Sequence, residues 1–181
     1  MSDMFYTGIG SRNTPDDILL LMEDIGQELA GTGFVLRSGG ADGADSAFER
    51  GCDEVNGKKE IYLPWEGFND NESPLYTITP EAYEIAEEVY GSRWRNIGVG
   101  VMKLMARNMY QVMGETLDTP SDFVVCWTPD GATTKRGIST GGTGQAIVYA
   151  NMNSIPVFNL KNNNDFARLM KYIDTIGVME W

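Results

Sequence analysis

Three glycine-bearing stretches hold most of the chemistry this chain can offer: Gly8-Ile-Gly-Ser-Arg-Asn13, Ser38-Gly-Gly-Ala-Asp-Gly43 and Thr140-Gly-Gly-Thr-Gly-Gln145. Glycines let backbone N–H groups approach an anion closely, and a helix that follows adds unpaired donors and the positive end of its dipole. That is phosphate-binding chemistry. The first stretch supplies Gly10, Ser11 and Arg12, where Arg12 either forks onto a phosphate or pairs with a surface carboxylate. The second supplies Ser38 and the amides of Gly39, Gly40 and Gly43; the third supplies Gly141, Gly142, Thr143 and Gly144. Two acids complicate the second. Asp42 reads as an N-cap with Asp45 as its capping-box partner, while Asp45 and Glu49 are also placed to accept hydrogen bonds from ribose hydroxyls.

The acid–base repertoire is narrow. The chain has no histidine, which removes Ser-His and Cys-His nucleophile activation and imidazole metal sites. Cys52 and Cys126 are far apart, with no CxxC, and read as two reduced, buried thiols. No catalytic residue, metal site or cofactor is assigned. With 14 Lys and Arg against 26 Asp and Glu, the formal charge is -12. Such an excess opposes capture of a nucleic-acid backbone, leaving a small anion in a local donor pocket. Neither a complete GxGxxG nor a GxxxxGK[ST] is present, which excludes a P-loop NTPase.

The elements that must position these stretches alternate regularly. Strands are expected at Met4–Gly10, Phe34–Arg37, Glu60–Pro64, Asp122–Trp127 and Pro156–Leu160. Helices are expected at Pro15–Ala30, Gly43–Val55, Pro80–Tyr90 with Thr79 as N-cap, Gly98–Leu117, Gly144–Met152 and Asn164–Ile173. Trp65 to Pro80 reads as a long polar surface loop. Strand–helix alternation implies an α/β, Rossmann-like parallel sheet with helices on both faces, formed by residues 1–181 as one domain. A 3-2-1-4-5 strand order would bring the three glycine stretches to one crevice at the carboxyl ends of the strands.

Taken together, "YTGIGSR", "RSGGADGADSAFE", "SDFVVCWTPDGA", "GGTGQAIVYA" and "IPVFNL" resemble the SLOG superfamily, nearest its DNA-processing protein A (Smf)-like members, over roughly residues 5–160. The resemblance implies a nucleotide-derived ligand at the sheet edge and does not by itself imply an enzyme. Compact members of this kind are often phage-encoded. The superfamily's lonely-guy type phosphoribohydrolases carry a pattern like PGGxGTxxE with an upstream arginine. Here Gly141, Gly142 and Gly144 match its glycines and Arg107 its arginine, but Thr140 replaces the proline, Gln145 the threonine and Val148 the glutamate. Without that glutamate, base hydrolysis lacks its acid–base partner.

The DNA-processing branch binds single-stranded DNA. Against that reading, Lys135 and Arg136 form only a small basic patch in an acidic chain. A third branch senses ADP-ribose-type second messengers through an attached effector domain. The expectation drawn here is a stand-alone domain that holds a nucleotide or ADP-ribose-like ligand, linear or cyclic, without turnover. Sequestration of a host defence signal follows from it, with phosphoribohydrolase and DNA-binding alternatives. The expected setting is the cytoplasm, the host's for a phage protein, with a homo-oligomer (dimer or higher) and no membrane partner. No run approaches the ~18 apolar residues of a membrane span.

Several other residues are read both ways. Trp65, Trp94 and Trp127 are either base-stacking or packing residues, with Trp127 nearest the expected crevice. Arg107-Asn108 could donate to phosphates, and Arg93-Trp94-Arg95 reads as a solvated helix end. Met102, Met105, Met109 and Met113 have helical spacing and read as core or subunit interface.

Overall fold

The computed structural model describes residues 2–134 and 141–178. Its sheet has five parallel strands: β1 (Met4–Gly8), β2 (Phe34–Ser38), β3 (Lys59–Ile61), β4 (Phe123–Cys126) and β5 (Val157–Asn159). Their order is β3-β2-β1-β4-β5, as expected, so the direction of winding reverses between β1 and β4. The helices are α1 (Asp16–Gly31), α2 (Ala44–Glu54), α3 (Pro80–Tyr90), α4 (Val99–Met113), α5 (Gly141–Met152) and α6 (Asn163–Val178).

Alternating side chains on the strands build two cores. Phe123 and Val125 of β4 enter one with Tyr6, Leu36 and the apolar stripes of α1, α2 and α6: Met22, Ile25, Phe48 and Leu169 among them. Val124 and Cys126 enter the other, against α3, α4 and α5 through Ala86, Met105, Met109 and Ile147. The helical methionines are therefore core or core-edge residues: Met105 and Met109 are buried, and Met102 and Met113 pack against them. Both cysteines are buried and unpaired. No helix among the described residues is long and apolar enough to cross a membrane.

Element ends deviate from expectation for identifiable reasons. α3 begins where expected because its signals are local: Pro80 occupies the first turn and the Thr79 hydroxyl accepts from the Ala82 N–H. α4 stops at Met113 rather than Leu117, at Gly114 with φ 75°. β3 is three residues long, after which Tyr62 forms an isolated bridge to Leu75. Arg93, Trp94 and Arg95 lie on a short 3-10 turn (Ser92–Asn96) with Trp94 buried and both arginines exposed, so the solvated reading holds for the cations only.

α2 starts at Ala44, and its N-cap is Gly43, not Asp42. Gly43 has φ 87° and ψ -118°, which a residue with a Cβ rarely adopts. Asp42 is left exposed. At the other glycine stretch α5 begins at Gly141, three residues before the expected start, so Gly141–Gly144 form its first turn instead of a loop.

Candidate functional site

At the switch point between β1 and β4 lies a cleft of about 930 Å3. Four post-strand segments and three helices line it: Ile9–Asn13 after β1, Ala41 after β2, Trp65 and Phe68 after β3, Thr128–Asp130 after β4, Asp45 in the first turn of α2, and faces of α4 and α5. Of the residues expected at the site, Gly10, Ser11, Arg12, Asp45, Arg107 and Gly141–Gly144 do line it. Ser38, Gly39, Gly40, Gly43 and Trp127 do not.

The turn after β1 is fixed by backbone bonds. Ser11 N–H donates to the Trp127 carbonyl at 3.1 Å, and Thr14 donates to the Ser11 carbonyl through its N–H and its hydroxyl. A Cβ on Gly10 would lie 2.6 Å from that of Ala44, so glycine lets this turn rest on the start of α2. Ser11 Oγ accepts from Asn13 N–H and retains its own proton for a ligand. Arg12 is exposed and forms no ion pair among the described residues.

The glycine stretch after β2 is already occupied by the chain itself. Asp45 Oδ2 accepts from the Ala41 N–H at 3.2 Å, and the Gly39 N–H also bonds to this carboxylate. Of the amides expected to clasp a phosphate, that of Gly39 therefore holds the Asp45 carboxylate instead. The Ser38 hydroxyl donates to the Gly8 carbonyl at 2.7 Å and joins β2 to β1. Asp45 is 5% exposed, and its burial pushes the carboxyl up to about 6, against the pull of Arg107 and the two amides.

Arg107 is a support of this floor. Its Nη1 donates to the Gly39 carbonyl and, at 2.9 Å, to the Tyr62 carbonyl; its Nε donates to Asn108 Oδ1. Burial lowers its pKa to about 10, and the nearby Asp45 carboxylate acts in the opposite sense. A Cβ on Gly39 would collide with this guanidinium, which explains that glycine by close packing.

Asn108 is likewise committed: its amide donates to the Gly142 carbonyl at 3.1 Å and to Gln145 Oε1 at 3.2 Å. This ties α4 to the first turn of α5 and sets the N-terminal end of α5 at the cleft wall. The phosphate-donor expectation for Asn108 gives way to this positioning role. Glu49, expected near ribose, instead pairs with Lys59 at 2.8 Å and accepts from Asn71, in a second depression outside the cleft. Trp127 is packed in the core and meets the site only through its carbonyl. Val148 is not among the lining residues, and Lys135, Arg136 and Thr140 lie outside the described residues.

Two features were missed from sequence. Asp130 reaches the cleft from the loop after β4, where it accepts from the Thr128 hydroxyl at 2.7 Å and from Ala132 N–H. Asn159 braces that loop, its amide donating to Thr128 Oγ1 and to the Ala132 carbonyl. Phe68 forms the wall beside Trp65, and its only sequence signal is an aromatic residue inside an otherwise polar loop. Among the described residues no three His, Cys, Asp or Glu side chains converge on a metal position.

No family model matches the chain, and no curated protein matches it. Solved structures do. The Moco carrier protein of Chlamydomonas rheinhardtii superposes with a TM-score of 0.55 at 16% identity, covering 97% of this chain and 86% of that one. DNA processing protein A from Helicobacter pylori, whose single-stranded DNA binding mode has been described, superposes with a TM-score of 0.57 at 18% identity, covering 98% and 80%. At these identities the likeness shows the fold alone: a Rossmann-like parallel sheet.

Proposed function

We propose that this chain is a single ligand-holding domain that binds a nucleotide or ADP-ribose-like molecule in the switch-point cleft, without turning it over. The observation that carries the proposal is the lining of the cleft: the first turn of α5, Ser11 and Arg12 line it together with a buried acceptor, Asp45. Unpaired N–H groups at a helix start favour a phosphate. Asp45, already ionic and buried, suits hydroxyl donors of a sugar rather than a second phosphate.

Two considerations support binding over hydrolysis. Val148 stands where the phosphoribohydrolase pattern has its glutamate. The lining carboxylates, Asp45 and Asp130, both accept hydrogen bonds from their own loops. A cytoplasmic protein that sequesters a nucleotide signal, as a homo-oligomer, is the role this reading favours. Single-stranded DNA is the rival ligand, which the likeness to the Helicobacter protein brings to mind and the net charge of -12 opposes.

The decisive experiment is extraction. Protein purified without added nucleotide is denatured, and the supernatant is read by mass spectrometry; a nucleotide in near-stoichiometric amount is expected. Incubation with AMP or ADP-ribose should release no free base. Multiple-turnover base release would overturn the holding function. An empty extract, together with no binding of either compound at millimolar concentration, would overturn the ligand class.

A further inference from the structure

The order of the loops along the sheet edge carries more than the presence of a cleft. In the strand order β3, β2, β1 and β4, the segments that line the cleft carry Trp65 and Phe68, then Asp45, then Ser11 and Arg12, then Thr128–Asp130.

Trp65 is built for contact. It is 41% exposed although it lines the cleft, and it meets Phe68 edge to face, with ring centroids 5.1 Å apart at 88°. Phe68 in turn packs on the first core and lies under the Arg107 guanidinium, 5.8 Å from the ring centre. The turn that carries both rings is held in place. Gly67, Asn69 and Asp70 all have positive φ, between 51° and 71°, and the Asn69 amide donates to the Gly40 carbonyl at 3.1 Å. The indole is therefore a positioned platform with open surface in the cleft lining. Val101 of α4, 37% exposed, adds apolar surface to that lining.

We infer that Trp65 stacks on the planar ring of the ligand and selects ring-bearing nucleotides over bare sugar phosphates. The inference rests on the cleft being a nucleotide site as proposed above. It fixes a direction: ring on Trp65, sugar hydroxyls toward Asp45, phosphate at α5 and Arg12. A sugar phosphate reaches the last two positions and leaves the first empty. Stacking of a base on an aromatic side chain tolerates any base, because every base has a π-face.

The test uses the full chain and five probes in calorimetric titration: ribose 5-phosphate and the adenosine, guanosine, cytidine and uridine 5′-monophosphates. The wild type should bind at least one monophosphate roughly ten- to a hundredfold more tightly than ribose 5-phosphate, the range that loss of one base-stacking aromatic spans. Trp65→Ala should bring that monophosphate down to the level of ribose 5-phosphate, while Trp65→Phe keeps most of the difference. Unchanged ribose 5-phosphate affinity in both variants reports an intact cleft. If Trp65→Ala keeps the preference, or if ribose 5-phosphate binds the wild type as tightly as every monophosphate, the stacking role is overturned and the phosphate site stands. If none of the five probes binds the wild type, the nucleotide reading fails, and this inference with it.

Discussion

Asp45 and Arg107 are charged groups that the protein keeps from water at this site, and burial disfavours the ionised form of each. The carboxyl of Asp45 has its pKa raised from an ordinary 3.8 to about 6, mainly by burial. Between these values the folded state binds the proton more tightly than the unfolded chain, so unfolding free energy falls as pH rises through that window. A shift of about two units corresponds to about 3 kcal/mol. The stability of the wild type minus that of Asp45→Asn should therefore drop by about 2 kcal/mol from pH 4 to pH 7 in urea titrations; a constant difference would show that Asp45 ionises as freely as in water. Arg107→Met strips donors from the buried Gly39 and Tyr62 carbonyls and leaves Asp45 without its nearest compensating cation. A loss of about 3 kcal/mol is expected in the same titrations at pH 7. A loss below about 1 kcal/mol would mean those carbonyls find other partners.

Elements hold the site through contacts that propensity does not announce. α1 and α2 meet almost backbone to backbone: a Cβ on Gly51 would press into the Glu23 carbonyl oxygen, and one on Gly26 would lie 2.7 Å from that of Phe48. Alanine is the better helix former by about 1 kcal/mol, yet Gly51→Ala should destabilise by about 2 kcal/mol, because the helices must part. A rise in thermal midpoint would refute this packing. The same contrast explains what the sequence made legible. Strand order, both apolar faces and the start of α3 were readable, since period and local caps encode them. The early start of α5 was not, because glycines are poor helix formers and Gly141–Gly144 are helical in a turn that Asn108 binds from another helix. Likewise nothing local to "SGGADGAD" reveals that Asp45 folds back onto its own glycine loop, or that Arg107, far along the chain, closes that loop from behind. Gly10, Ser11, Arg12 and the α5 turn were identified from sequence as candidates, and the fold brings them to the lining of the cleft.

At the scale of the whole molecule, the charge of -12 acts on any anion that approaches, whereas the cleft's donors act only at contact. The two have different ranges. Salt screens the first, with a Debye length of about 10 Å at 0.1 M and 30 Å at 0.01 M, and leaves short hydrogen bonds from α5 amides nearly untouched. A ligand held at this cleft therefore meets a net repulsive long-range field and an attractive short-range one. Raising sodium chloride from about 20 to about 200 mM weakens the repulsion more than the attraction. The affinity of a nucleoside monophosphate should accordingly stay level or rise across that range. A protein that bound single-stranded DNA by neutralising phosphates would do the opposite: its affinity falls with a slope of about -0.7 per phosphate contacted, as counterions released on binding become costlier to release. Salt titrations of a monophosphate and of an oligothymidylate on the same preparation therefore separate the two readings by sign. A steep fall for the oligonucleotide, combined with affinity above that of the monophosphate at 200 mM, would place the acidic surface away from the true ligand path and give the DNA-binding alternative precedence. A level or rising monophosphate curve with no retained oligonucleotide would mean that this Rossmann-like sheet uses its edge for a small, directed anion inside an otherwise repelling surface.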